Sequence, residues 1–189
     1  TEYKYSELKD DKGNVKTLVF DTITTTSWSS GTDLYGGSWS AEKTPLIILQ
    51  KYHKVDNKNL WVYDYTIQGQ TFQIFNADGT PKLGRTPVKG IETTSSGLDI
   101  FGNDSDTTTT TDYFLFKGKL VTEKATSVTT STDVLGNATE SHSVTEYKYA
   151  ELKDDKGNIK TLVFDTISTT SWSSGTDLYV GSWSAEKNP

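Results

Sequence analysis

Hydrophobic and polar residues alternate with a period of two along most of this chain. Trp61, Tyr63, Tyr65 and Ile67 share one parity, with Val62, Asp64 and Thr66 on the other. Tyr3 and Tyr5 face away from Glu2 and Lys4, as Tyr147 and Tyr149 do from Glu146 and Lys148. Leu18 and Phe20 fall on the opposite parity from Val15, Val19 and Ile23. Successive residues of a strand point to opposite faces, so this alternation predicts half-buried strands. No window combines an apolar period of 3.6 with helix caps. The predicted fold is all-β and antiparallel, a hairpin-rich β-sandwich-like arrangement.

Punctuation between the strands is chemical. The pattern Asp-x-x-Gly followed by Asn or Gly occurs at Asp10–Asn14, Asp33–Gly37, Asp99–Asn103, Asp133–Asn137 and Asp154–Asn158. An Asp side chain accepts from the backbone N–H two residues on, and Gly takes the left-handed position of the turn. Val180 stands in the second half where Gly36 stands in the first, and a β-branched residue tolerates positive φ badly. In that loop the left-handed residue is therefore expected at Gly37 and Gly181. Further turns are predicted at Asp56-Asn57-Lys58-Asn59, Gln68-Gly69-Gln70, Asn76-Ala77-Asp78-Gly79 and Lys117-Gly118-Lys119. The tract Asp106–Asp112, with Thr at 107–111, is either a flexible linker or a Thr-rich edge strand. β-Propensity and the Tyr113-Phe114-Leu115-Phe116 run behind it favour the strand.

The largest feature is a repeat. Residues 1–45 recur at 145–189 without a gap, and 40 of the 45 positions are identical. The exceptions are Ser6/Ala150, Val15/Ile159, Thr24/Ser168, Gly36/Val180 and Thr44/Asn188. Packing constraints alone would keep the pattern and lose the identities, so tandem duplication with a period of 144 residues is expected. The unit begins at Thr1, or after Pro45, or else 46–144 is a central β domain flanked by two copies (1–45 and 145–189) of a smaller element. The chain starts without Met, which suits a mature product or a fragment.

Composition narrows the chemistry. The 189 residues include 31 Thr and 19 Ser but no Cys, which excludes disulfides, zinc-thiolate sites and thiol nucleophiles. A net charge of -6 argues against nucleic acid, whose phosphates require a basic footprint. Leu46-Ile47-Ile48-Leu49 is the longest aliphatic run, far short of the ~18 residues that span a bilayer. His53 and His142 are the only imidazoles and lack metal-ligand spacing; no Gly-x-Ser-x-Gly elbow or phosphate loop occurs. A catalytic role is not expected.

Two ligand chemistries remain. Asp99, Asn103, Asp104 and Asp106 form a dense oxygen-bearing loop of the sort that binds calcium, the one cofactor this sequence suggests. The alternative for these carboxylates is capping of hairpin turns. Trp28, Tyr35 and Trp39, repeated as Trp172, Tyr179 and Trp183, are candidates for stacking on sugar rings or for contact between modules. A hairpin here is expected to bring Trp28 and Trp39 near Tyr35.

With its repeat, its Thr-, Ser-, Asp- and Gly-rich composition and its lack of Cys, the chain resembles the tandem modules of large bacterial surface adhesins and biofilm proteins. The Asp-x-x-Gly-Asn turns also resemble, more distantly, the Tyr-Asp repeats of large β-shell proteins, although no Tyr precedes these Asp residues. The adhesin resemblance implies an extracellular, cell-surface location, a structural or fibre-forming role and calcium that rigidifies the array. It also implies neighbouring repeats of the same protein, head to tail, as partners, with glycans as a further target.

Overall fold

The computed structural model describes residues 1–55, 60–82, 84–179 and 181–188, the side chains of 186–188 aside. Among the described residues the strands in chain order are β1 (Glu2–Lys9), β2 (Val15–Ser27), β3 (Ser30–Thr32), β4 (Ser38–Ser40), β5 (Leu46–Lys54) and β6 (Trp61–Ile67). They continue as β7 (Gln70–Gln73), β8 (Thr86–Leu98), β9 (Asp104–Phe116), β10 (Lys119–Thr132), β11 (Ala138–Lys153), β12 (Ile159–Thr176) and β13 (Ser182–Asn188). They form two antiparallel sheets packed together, ordered β1-β2-β5-β6-β7 and β13-β12-β11-β10-β9-β8-β4-β3. The all-β sandwich expected from the alternation is the observed architecture.

The core occupies the middle of the chain. Tyr65, Ile67, Ile74, Val88, Ile91 and Leu115 are buried together, with Leu46, Ile48, Tyr63, Phe72 and Tyr113 packed around them. These side chains come from β5–β7 and from Ile74 just after β7 in one layer, and from β8–β9 in the other. Burial pushes the Tyr63 hydroxyl up to about 12. The two ends of the larger sheet, and the β1–β2 hairpin, extend beyond this core.

The turns follow the predicted chemistry. At Gln68-Gly69 and Lys117-Gly118 both central residues have positive φ, the geometry whose twist matches the flanking strands. In each five-residue Asp turn, the Asp carboxylate accepts the N–H groups two and four residues on. At Asp133 these bonds come from Leu135 and Asn137, both 2.9 Å. The turn predicted at Asp56–Asn59 lies outside the described residues.

Three expectations are corrected. Gly36 has φ of 94°, whereas Gly37 and Gly181 are not left-handed. Glycine is needed at those two positions for space: a methyl at Gly37 would lie 2.6 Å from Asp33 Oδ2, and one at Gly181 2.5 Å from Asp177 Oδ2. The Thr107–Thr111 tract is a strand, but an interior one between β8 and β10. Its hydroxyls bond across the sheet, Thr107 to Thr129 and Thr109 to Ser127, each at 2.8 Å. Finally, Phe20 and Ile23 share a face. Tyr5 pairs with Phe20 and Tyr3 with Ile23, with a register shift between Lys4 and Tyr5. The bulge inserts one residue and reverses the parity on one side of it.

Candidate functional site

The repeated segment is the candidate site, because the structure places its two copies in different surroundings. Both form the same hairpin. The pairs Glu2↔Thr24, Tyr3↔Ile23, Tyr5↔Phe20 and Lys9↔Val15 recur as Glu146↔Ser168, Tyr147↔Ile167, Tyr149↔Phe164 and Lys153↔Ile159. Even the register shifts recur at the same places. The smaller hairpin that follows also repeats, Gly31 opposite Trp39 and Gly175 opposite Trp183.

The neighbours differ. In the first copy, β2 pairs through Thr22–Ser27 with Lys51–Leu46 of β5. Phe20 lies 5.6 Å, ring to ring, from Tyr52 of that strand. The chain then leaves β2 at Trp28–Ser29 and enters the other sheet as β3, with β4 pairing on to Ser96–Leu98 of β8. In the second copy β12 runs straight through Trp172–Ser173, held along its length by β11. Here the hairpin is covered from the other side. Tyr149 meets Phe114 edge-on at 5.7 Å and donates its hydroxyl to the Thr122 carbonyl at 2.7 Å.

Exposure records this exchange. Phe20 is 39% exposed and its counterpart Phe164 64%. Tyr3 and Tyr5 are 53% and 55% exposed, while Tyr147 and Tyr149 are half-buried. Among the described residues, no strand pairs with Thr166–Thr170 on the side where β5 pairs in the first copy, nor with β13 on the side where β8 pairs with β4.

The tryptophans fill the hairpins. A methyl at Gly31 would lie 2.8 Å from the Trp39 indole nitrogen, and one at Gly175 2.6 Å from that of Trp183. Each indole thus lies across the glycine opposite it. Trp28 sits at the break between β2 and β3, Trp39 in mid-hairpin and Tyr35 at the tip, so the three are spread along the element. Trp172 stacks on His142 at 4.9 Å with the rings 4° apart, and His142 Nε2 is 2.6 Å from Glu140 Oε1. Tyr35 and Tyr179 project from turns at 79% and 91% exposure. A shallow groove of about 640 Å³ beside Trp183 is lined by Ser and Thr hydroxyls.

The Asp99 loop is a turn in full use. Asp99 Oδ1 accepts from the N–H groups of Phe101 (2.8 Å) and Asn103 (2.9 Å), and Oδ2 from the Asn103 amide (2.7 Å). Hydrogen bonding from Asn103 backbone and side chain holds the Asp99 carboxyl below the usual carboxylate range. Asp104 and Asp106 stand on β9, opposite Leu98 and Ser96. Among the described residues no three His, Cys, Asp or Glu side chains gather as a metal would require.

The sequence reading missed a ladder of these turns. Asn103 Oδ1 accepts the Val134 N–H (3.2 Å) and Asn137 Oδ1 the Leu178 N–H (3.1 Å), linking three neighbouring turns side by side. Their tips carry Ile100-Phe101, Val134-Leu135 and Leu178-Tyr179, all exposed. The signal was present: the two residues after the Asp are Ile-Phe, Val-Leu and Leu-Tyr in these turns, whereas those at Asp10 and Asp154 are Asp-Lys.

No family model, curated protein or solved structure matches the chain. No helix among the described residues is long and apolar enough to cross a membrane.

Proposed function

We propose that the chain is a non-catalytic structural and adhesive repeat module of a long extracellular surface or filament protein. One observation carries this reading: the repeated 45-residue segment is covered on opposite sides in its two positions. Each copy therefore has half of the neighbours that the segment can take. A unit whose ends are two halves of one contact suits linear extension. Hydroxyl-rich faces keep such strands hydrated and restrain sideways aggregation. The test is solution scattering on chains lengthened after Pro189 by one and two further runs of residues 46–189. A stalk keeps its cross-section while its length grows in equal steps. Compact or freely jointed particles would sink the reading.

A second reading, a carbohydrate-binding module, draws on the groove beside Trp183 and on the half-exposed indoles of Trp28 and Trp39. Titrating a glycan panel against tryptophan fluorescence separates the two. Saturable quenching that Trp183→Ala removes favours sugar binding; a flat response leaves the structural module alone.

A further inference from the structure

The two copies of the repeated segment define the contact between units. In the first copy the strand Thr22–Ser27 holds β5, and β4 holds β8. The same residues in the second copy, Thr166–Ser171 and Ser182–Ser184, have the same internal register with β11 and within the β12–β13 hairpin. Conversely, Ser174–Thr176 pairs with Ala138–Glu140 of β11, while its counterpart β3 is the outermost strand at the other end of the sheet.

Resting on the repeat-module reading, we propose that residues 145–185 are the receiving half of a strand-paired joint. The occupant is residues 46–144 of a second unit of this sequence. Its Leu46–Lys51 strand pairs along Thr166–Ser171, and its Ser96–Leu98 strand pairs along Ser182–Ser184, in the registers of the first copy. The aromatic row then closes: Phe114, Tyr149 and Phe164 of one unit continue into Tyr52 of the next. Phe164 loses the exposure that separates it from Phe20. The joint moves Asn188 away from Ser171, which takes the incoming Leu46 instead. It also bends β12 at Trp172–Ser173, where the first copy already changes sheets.

Continuity of the larger sheet fixes a repeat distance. Of its eight strands, β12 ends in the sequence of β3 and β13 begins with that of β4, so six are new in each period. With neighbouring strands ≈ 4.8 Å apart, that is about 29 Å per unit.

The absence of cysteine allows a direct test. In a chain lengthened after Pro189 by a second run of residues 46–189, Thr170→Cys is combined with Ile47→Cys in the added run. Ser184→Cys is combined separately with Ser96→Cys in the added run. The first-copy pairs Thr26↔Ile47 and Ser40↔Ser96 place both combinations directly opposite, within reach of a disulfide. Mild oxidation is expected to cross-link both nearly completely, against a few per cent for Thr170→Cys with Lys51→Cys in the added run. Each variant is used only if its melting temperature stays near that of the lengthened parent. Control-level cross-linking at either pair overturns the two-strand joint. Scattering on the same chains keeps the outcomes apart: a stiff rod without cross-links removes this joint but not the module, and cross-links in a non-extending particle do the reverse.

Discussion

Residues 1–45 and 145–189 are nearly the same molecule twice, and what differs between them is not local. Turn, hairpin register and bulges are identical, down to Asp10 and Asp154 accepting the N–H groups of residues 12 and 156 at 2.9 Å. Yet one copy changes sheets at Trp28–Ser29 and the other runs on as an 18-residue strand. Short-range chemistry thus sets the hairpin, and the neighbouring strand decides where its ends go. The five substitutions do not explain the difference, since none lies at Trp28, Ser29 or their counterparts.

The largest expected effects come from swapping which side of the hairpin is lost. Phe20→Ala removes a ring held between Tyr5 at 5.0 Å and Tyr52 at 5.6 Å, at a cost of about 2 kcal/mol. Phe164→Ala, on the more exposed counterpart, should cost roughly half that. For the tyrosines the order reverses. Tyr149→Ala loses the Phe114 contact and a hydrogen bond, about 2–3 kcal/mol, whereas Tyr5→Ala costs about 1 kcal/mol. Urea unfolding of the four variants measures the crossing. Equal costs within each pair would mean that the two settings do not differ energetically.

A smaller effect tests the glycines under the indoles. Gly175→Ala meets both the Trp183 ring and the Ala138 carbonyl, the latter 2.8 Å from the new carbon. At Gly31 the nearest atoms all belong to the Trp39 ring, which can tilt. We expect Gly175→Ala to lower the melting temperature by several degrees and Gly31→Ala by less, because a carbonyl in a ladder cannot give way. A larger loss at Gly31 would contradict this account of the two hairpins.

These cases also show what the sequence could reveal. Alternation exposed the strands, and the Asp-x-x-Gly spacing located turns whose side-chain bonds match the expectation at Asp99 and Asp133. Both signals are carried within a few residues. The parity of Phe20 against Ile23 was misread because a single-residue bulge leaves no mark in composition. The interior place of Thr107–Thr111 depends on β8 and β10 arriving from either side, a fact of sheet order. The half-covered state of each copy was invisible for a stronger reason: identical residues cannot by themselves encode two different settings.

Next in size is the response to acid, where the two copies should agree. Hydrogen bonds from Asn14 and Asn158 hold the Asp10 and Asp154 carboxyls below the usual range, and Asp99 and Asp133 are lowered in the same way by Asn103 and Asn137. A depressed carboxyl stabilises the fold at pH values above its unfolded pKa, about 3.9, and that contribution is lost as pH falls through the folded value. Stability is therefore expected to fall below about pH 4, and carbon-detected titration should find Asp10 and Asp154 moving together. A midpoint for either at or above about 3.9 would show that its turn is not formed in solution.

The smallest effect concerns calcium. A hard cation takes six to eight oxygens, mostly carboxylate and carbonyl. At Asp99 both carboxylate oxygens already accept hydrogen bonds, and Asn103 Oδ1 accepts one from Val134. A cation there would compete with the bonds that shape the turn and join it to its neighbour. Millimolar calcium, compared with chelator, is therefore expected to move the melting temperature by less than about 2 °C, under ~1 kcal/mol for a chain of this length. A rise of ten degrees that Asp104→Ala and Asp106→Ala abolish would instead make this loop an ion site. The turn ladder, whose third member at Asp177 lies in the repeated segment, would then be calcium-dependent at its Asp99 end.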